Sequence, residues 1–149
     1  MENFDDNNQA KDLKIAFTDS LQVEESFYQA FQSCNIELMK DVWDQTDEVI
    51  CIHPSATRIY SYELIIASWK QIFASQEAVS ILVNEPVYKI KQDTAIHYVK
   101  EELYLGDSNV ASILATNIYQ QTDHGWKMIA HHASSTHSES EVKINPNLH

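Results

Sequence analysis

Proton transfer is the chemistry that a group of polar side chains near the end of the sequence could perform. Asn117 and Tyr119 alternate along one predicted strand, and His131 and His132 lie together on the next. Alternate residues of a strand share a face, so a two-residue turn at 124–125 predicts that Asn117 lies opposite His132, with Tyr119 on the same face. A three-residue turn with a glycine bulge would bring His131 there instead. We expect His132 to be a catalytic acid or base, with Asn117, Tyr119 and His131 as ligand-binding residues.

Glu101 is a second candidate for acid–base catalysis. It shares its predicted strand face with Ala95, Val99 and Leu103, so its carboxyl group would be partly removed from water. Burial raises the pKa of a carboxyl group towards the range that suits a general acid or base. The alternatives are that Glu101 only accepts structural hydrogen bonds, or that a different hairpin loop length brings Glu102 to this face.

Two further candidates are His53 and Trp69. His53 lies immediately before Pro54 at the end of a short apolar run, and Trp69 lies on the apolar face of a predicted helix. A histidine at a strand end can donate to a ligand, relay a proton or cap a backbone carbonyl. An indole ring can stack on a planar ligand or fill the core. We expect His53 to be catalytic and Trp69 to bind ligand, with the structural roles as alternatives.

Several other kinds of chemistry fit the sequence poorly. Only two glycines are present, which excludes the glycine-rich loops that bind nucleotide phosphates. Ten Lys and Arg residues against 22 Asp and Glu residues give a net charge of -12, which repels nucleic acid. The adjacent His131 and His132 point to opposite faces of a strand and cannot both bind one ion. We therefore expect no metal, no cofactor and no nucleic-acid partner.

The expected location is the cytoplasm. No apolar run approaches the length of a bilayer span, and the first residues lack a basic-then-apolar signal. Cys34 and Cys51 are too few for a disulfide framework and match no zinc module. We expect reduced thiols and no membrane partner.

The elements that must position these residues fall into two halves. Asp19, Asn35 and Ser61 are predicted to begin three helices, with apolar residues at three- and four-residue spacing. A short strand is predicted at 49–52, and four segments at 79–91, 94–105, 110–121 and 126–133 are predicted to form an antiparallel meander. Helices followed by strands predict an α+β fold. The 149 residues suit one domain at 13–134, between polar tails at 1–12 and 135–149.

Four segments together carry a family resemblance. They are FYQAFQSCNIELMKDVW (27–43), VICIHP (49–54), IIASWKQIF (65–73) and ATNIYQQTDHGWKMIAHHAS (115–134). The chain resembles the nuclear transport factor 2-like superfamily, which has a cystatin-like fold, and within it the SnoaL-like group, which is similar to ketosteroid isomerase and polyketide cyclase. The resemblance covers 20–134.

The resemblance implies a cone in which a curved, mainly antiparallel sheet packs against three helices. It also implies a pocket between helix and sheet, with His53 and Trp69 at its mouth, and homodimers formed through the outer sheet face. Tyr98, Tyr104, Ile96 and Ile118 are expected on that outer face, where they would form a large apolar patch on a monomer.

Two functions follow as expectations. The first is a homodimeric SnoaL-like protein whose apolar pocket binds a small organic molecule and which, if catalytic, is a cofactor-free isomerase, hydratase or cyclase. The second is a non-catalytic module for ligand binding, dimerisation or scaffolding, because proteins that share this fold include enzymes and assembly modules alike.

Overall fold

The computed structural model describes residues 15–75 and 77–136. The predicted N-terminal tail at 1–12 lies outside the described residues, as does the predicted C-terminal tail beyond Thr136. Ser135 is the last residue of the final strand, and the amide of Thr136 donates to the carbonyl oxygen of Ser112 at 3.0 Å. Regular pairing therefore extends to the first two residues of the predicted C-terminal tail.

Three helices form where the sequence predicts them. They are α1 (Ser20–Ser33), α2 (Ile36–Val42) and α3 (Tyr62–Ser75). The side chain of Asp19 accepts a hydrogen bond from the amide of Gln22, and that of Asn35 accepts one from the amide of Leu38. These caps satisfy amide groups that have no partner inside the first turn of a helix, so they set where α1 and α2 begin.

Six strands make one sheet in the order β2-β1-β6-β5-β4-β3. Their bounds are β1 (Ile50–Ile52), β2 (Ile59–Tyr60), β3 (Ser80–Lys91), β4 (Thr94–Leu105), β5 (Ser108–Thr122) and β6 (Gly125–Ser135). The meander of β3 to β6 is antiparallel, as predicted. The short strand β2 was not predicted, and neither was the parallel pairing of β1 with β6, which makes the sheet mixed.

The helices cover one face of the sheet, which is called the inner face here, and the opposite face is the outer face. Large side chains of the helices and of the inner face form one core, with Phe27, Trp43, Trp69, Tyr119 and Met128 fully buried. Three helices on a six-stranded, mainly antiparallel sheet confirm the predicted α+β cone.

A β-bulge in β6 overturns the predicted inward position of His132 opposite Asn117. A two-residue turn at 123–124, one position before the expected 124–125, joins β5 to β6, and Tyr119 pairs with Met128. Regular pairing from there would place Ala130 opposite Asn117 and would still turn His132 inward. Ile129 is then an extra residue, because the next pairs are Ile118 with Ala130 and Asn117 with His131. Each extra residue reverses which side chains face inward. His131 is therefore buried on the inner face, and the predicted inward position of His132 was wrong.

Candidate functional site

A chain of hydrogen bonds crosses the interior from β6 to β4 through α1. The Nδ1 of His131 lies 2.6 Å from Oδ1 of Asn117, whose Nδ2 donates to the Tyr28 hydroxyl at 3.0 Å. The Tyr28 hydroxyl in turn donates to Oε2 of Glu101 at 2.6 Å. Because Asn117 uses its amide hydrogen on Tyr28, its oxygen must accept, so His131 carries its proton on Nδ1.

Burial changes the pKa values of the titratable groups in this chain of hydrogen bonds. Burial raises the pKa of Glu101 from 4.5 to about 7, opposed by the hydrogen bond from Tyr28 and supported by the charge of Glu24. Burial and the nearby Glu101 raise the pKa of Tyr28 well above 10. Burial lowers the pKa of His131 to about 3, so its ring is neutral at physiological pH. Glu101 is thus the group in this chain of hydrogen bonds that exchanges a proton near neutral pH.

A second buried cluster surrounds Glu24, one helical turn before Tyr28. Oε2 of Glu24 lies 2.8 Å from Nδ1 of His97 and accepts a hydrogen bond from the Tyr119 hydroxyl at 3.0 Å. Nε2 of His97 lies 2.9 Å from the Ser20 hydroxyl. The cluster therefore fastens α1 to β4 and β5 through groups that are all buried.

Both clusters reach a cleft of about 420 Å³ between α1 and β3. The polar side chains at its inner end are Glu24 and Tyr28, and its apolar lining includes Ile81, Val83, Pro86 and Tyr88. Glu101 lies behind this lining, directly across the β3–β4 ladder from Val83. The cleft thus combines an apolar surface with two convergent polar groups, the usual composition of a small-molecule site.

The structure brings most of the predicted site residues into the interior. Glu101, Asn117 and His131 belong to the first hydrogen-bond chain, and Tyr119 belongs to the second cluster. Glu101 rather than Glu102 faces inward, since Glu102 lies half-buried on the outer face and accepts from Ser112. None of these four lines the cleft directly, so each would act on a ligand through Tyr28 or Glu24.

His53 and Trp69 lie together beside another part of the core. Nε2 of His53 is 3.0 Å from the hydroxyl of Ser68, which itself donates to the carbonyl of Ile65. The His53 ring meets the indole of Trp69 edge to face at 4.8 Å, and burial lowers the pKa of His53. Trp69 is almost fully buried between aromatic residues of α1 and α3. Neither residue lines the cleft.

His132 is exposed on the outer face of the sheet, away from the interior chain. It borders a shallow groove of about 420 Å³ on that face, together with Tyr98, Leu114 and Thr116. The predicted partnership of His132 with Asn117 and Glu101 therefore does not occur. The extra residue at Ile129 is the physical reason.

The residues that sequence reasoning missed lie on the first helix. Ser20, Glu24 and Tyr28 follow one another at four-residue spacing, so they share one face of α1, and all three are buried. This polar stripe lies beside the apolar stripe of α1, and its four-residue spacing could have been recognised in the sequence. His97 lies two residues before Val99 on the inner face of β4, but its partner Glu24 could be found only in three dimensions.

The described residues show neither a metal site nor a membrane span. No group of three or more His, Cys, Asp or Glu side chains in 15–75 and 77–136 is arranged to hold an ion. Over the same ranges no helix has both the length and the apolar character needed to cross a bilayer.

Comparison with known proteins gives a family and a fold. Residues 21–138 match the model of the SnoaL-like domain family. The F-box protein SKIP8 of Arabidopsis thaliana is 26% identical over 114 residues, which are 76% of this chain and 48% of that protein. The chain thus spans about half the length of the curated relative it matches.

Two solved structures extend the comparison. A candidate calcium/calmodulin-dependent protein kinase type II association domain from Thiobacillus denitrificans is 32% identical, with a TM-score of 0.78 and coverage of 83% of this chain and 100% of that chain. A candidate dehydratase of the nuclear transport factor 2-like family from Streptomyces avermitilis is 24% identical, with a TM-score of 0.71 and coverage of 78% of this chain and 93% of that chain. The similarity to the Streptomyces avermitilis protein, at 24% identity, shows a shared fold only.

Proposed function

The chain belongs to the SnoaL-like domain family, and from that premise we propose that it is a cofactor-independent acid–base enzyme acting on a small organic molecule. The cleft between α1 and β3 is the proposed binding site. The reaction class is the isomerase, hydratase or cyclase type, which needs a proton to be moved within an apolar pocket. The predicted cytoplasmic location is part of the same proposal.

The observation that carries this proposal is the contact between Tyr28 and Glu101. Tyr28 lines the cleft, and its hydroxyl donates at 2.6 Å to a buried carboxyl group. Burial raises the pKa of that carboxyl group to about 7, so both of its protonation states are populated at neutral pH. A pair of this kind can accept a proton from a ligand or return one to it.

The proposed step conserves every proton. As a carbon acid in the cleft loses its proton to the Tyr28 oxygen, the phenol proton moves to Oε2 of Glu101, and the reverse sequence returns a proton to a neighbouring carbon. The amide of Asn117 donates to the same phenol oxygen at 3.0 Å and stabilises negative charge there. His131 holds the amide of Asn117 in that orientation.

A reaction that needs only a positioned base tests the proposal without the natural substrate. In 5-nitrobenzisoxazole, removal of the C3 proton forms the nitrile as the N–O bond breaks, which releases a coloured phenolate. We expect the full-length protein to accelerate this elimination, and Tyr28→Phe and Glu101→Gln to lose about tenfold or more of the rate. Tyr60→Phe, at an exposed tyrosine in β2, is the matched control. Equal rates for Tyr28→Phe and Tyr60→Phe would contradict the proposal.

A dimerisation module is the second candidate function, and the outer sheet face favours it. Tyr98 and Leu114 are exposed there beside the groove, and Ile96 pairs with Ile118 on the same face. Tyr104, which was expected to join them, is half-buried beyond a register shift in the β4–β5 ladder. The likeness to a candidate association domain supports the same function. The mass in solution, measured by sedimentation, tests it.

A further inference from the structure

We infer that the ligand of the α1–β3 cleft is an organic cation, a protonated amine on a compact apolar body. The inference rests on the proposed function, because it names the class of molecule that the same cleft would take. It depends on the charges of the cleft, on one carboxylate oxygen and on the position of one aromatic ring.

The charge of the cleft lining is negative. Glu24 and Glu25 are its charged side chains, and no Lys, Arg or His stands among its described lining residues. A ligand carboxylate or phosphate would have to lie beside these glutamates with no Lys or Arg in the lining to balance it, and the nearby His97 already contacts Glu24. Like charges in a partly dry cleft repel strongly, so anionic ligands are disfavoured and cations are favoured.

Glu24 presents one carboxylate oxygen for such a cation. His97 and Tyr119 both contact Oε2, whereas Oε1 has no hydrogen-bond partner among the described residues. The side chain is 7% exposed and lines the cleft, and Oε1 is not among the buried polar atoms that lack a partner, so this oxygen remains accessible to a ligand. An ammonium N–H donor in the cleft could form a charge-assisted hydrogen bond with this oxygen, which is stronger than a hydrogen bond between neutral groups.

Tyr88 supplies an aromatic ring close to this carboxylate. Its ring lies 4.6 Å from that of His97, which is itself bonded to Glu24. The ring is 44% exposed and lines the cleft, so a ligand can lie against it. Cations bind favourably over the face of a tyrosine ring. A carboxylate and an aromatic ring on the same cleft are a common combination for amine recognition.

The position of Tyr28 defines which part of the ligand would react. Glu24 and Tyr28 are four residues apart on α1, which separates their β-carbons by about 5–6 Å. An ammonium group held by Glu24 would therefore lie on the same side of the cleft as Tyr28, which leaves a carbon two or three bonds away as the part of the ligand to react. The positive charge of the ammonium also makes removal of a proton from such a carbon easier.

Three probes that share an aromatic body and differ in head-group charge test the inference. They are 2-phenylethylamine, 2-phenylethanol and 3-phenylpropionate, titrated into the full chain and followed by amide NMR shifts of cleft residues. We expect the amine to bind about tenfold or more tightly than the alcohol, and the propionate to bind weakest. If the propionate binds as tightly as the amine, or if no probe shifts the cleft amides, the inference is overturned.

Two variants assign the preference to its residues. Glu24→Gln should reduce the amine's advantage over the alcohol to about twofold or less, whereas Glu48→Gln, which removes the same charge from an exposed loop, should preserve it. Because Glu24 is buried, Tyr88→Leu at a partly exposed position gives a second measurement that does not depend on the folding of Glu24→Gln. It should weaken the amine about threefold and the alcohol less. An amine preference that persists in folded Glu24→Gln overturns the inference.

A failure of the amine inference can be distinguished from a failure of the proposed proton-transfer function. The elimination of 5-nitrobenzisoxazole uses a neutral molecule and depends on Tyr28 and Glu101. If that elimination is lost in Tyr28→Phe while the amine shows no preference, the proton-transfer proposal stands and only the amine inference falls.

Discussion

Glu24 and Tyr28 lie one helical turn apart on α1, and each joins a different buried hydrogen-bond cluster to the same cleft. Glu24 accepts from His97 and Tyr119 on its Oε2, and Tyr28 donates to Glu101. The two clusters also interact electrostatically, because the charge of Glu24 raises the pKa of both Tyr28 and Glu101. One face of one helix therefore controls the acid–base properties of the site.

The rate of base-catalysed elimination should rise with pH and level off above neutrality. The proton ends on Glu101, so only its deprotonated form can react, and burial raises the pKa of that group to about 7. The measurement is the initial rate with 5-nitrobenzisoxazole between pH 5 and 9, corrected for the uncatalysed reaction. A rate that stays level from pH 5 to 9 would show that another group accepts the proton.

The free energy of unfolding of Glu101→Gln should increase relative to that of the natural protein as pH rises. The pKa of Glu101 in the folded protein is raised from 4.5 to about 7, so folding favours the protonated form. Its contribution is fully present below about 4.5 and is lost as pH rises through about 7, an effect on the order of 3 kcal/mol. Urea unfolding of both proteins at several pH values measures this difference.

Comparing the natural protein with Glu101→Gln separates the effect of Glu101 on pH-dependent stability from the effect of His131. Burial lowers the pKa of His131 to about 3, so its contribution is lost as pH falls from 6.5 and has the opposite slope. Both proteins keep His131, so its effect cancels in the difference. A difference in unfolding free energy that does not change between pH 4 and 8 would contradict the raised pKa.

His131 should remain neutral, with its proton on Nδ1, over most of the acidic range in which the protein stays folded. Burial lowers the pKa of its ring to about 3, and Asn117 Oδ1 accepts from Nδ1. Ring nitrogen NMR between pH 4.5 and 7 should show one protonated and one unprotonated nitrogen throughout. Two protonated nitrogens at pH 5 would disprove the assignment.

Leu114→Glu should convert a dimer into a monomer. Leu114 is 54% exposed on the outer sheet face, and a charge there would have to be buried in an interface between two copies. Sedimentation should then give a mass near the chain's own 17.1 kDa. Leu64→Glu, at a 61% exposed position on α3, is the control and should leave the dimer intact. A natural protein that already sediments as a monomer at micromolar concentration would refute the interface.

Gly125→Ala should destabilise the fold more than Gly106→Ala does. Gly125 has a φ of 91°, and a β-carbon there would lie 2.8 Å from the carbonyl oxygen of Phe17. Gly106 has a φ of 59° and open space around it, so only backbone strain of about 1 kcal/mol applies. We expect a cost of about 2 kcal/mol or more at Gly125, measured by thermal or urea unfolding. Equal costs would mean that the contact with Phe17 relaxes freely.

Local chemistry explains what the sequence could predict. The segment predicted as a strand at 94–105 coincides with β4, because turn residues stand on both sides of it. The caps at Asp19 and Asn35 are contacts between near neighbours in sequence, so they too could be read directly. The SnoaL-like family was identified from motifs that together span most of the domain, and the family match at 21–138 confirms it.

The missing parts of the site depend on contacts between distant residues. Tyr28 and Glu101 are 73 positions apart, as are Glu24 and His97, so nothing in either neighbourhood indicates its partner. The bulge at Ile129 likewise has no glycine or proline to mark it. It reflects the fit of two long strands rather than a local preference, and it decided which histidine faces inward.

The bulge at Ile129 also affects how roles can be transferred between relatives. A relative of equal length with a regular β6 would turn its second histidine inward, although the two sequences would align without a gap. The same alignment column would then hold an interior residue in one protein and a surface residue in the other. For this pair of histidines, equivalence has to be established from strand pairing, which in this protein places His131 opposite Asn117.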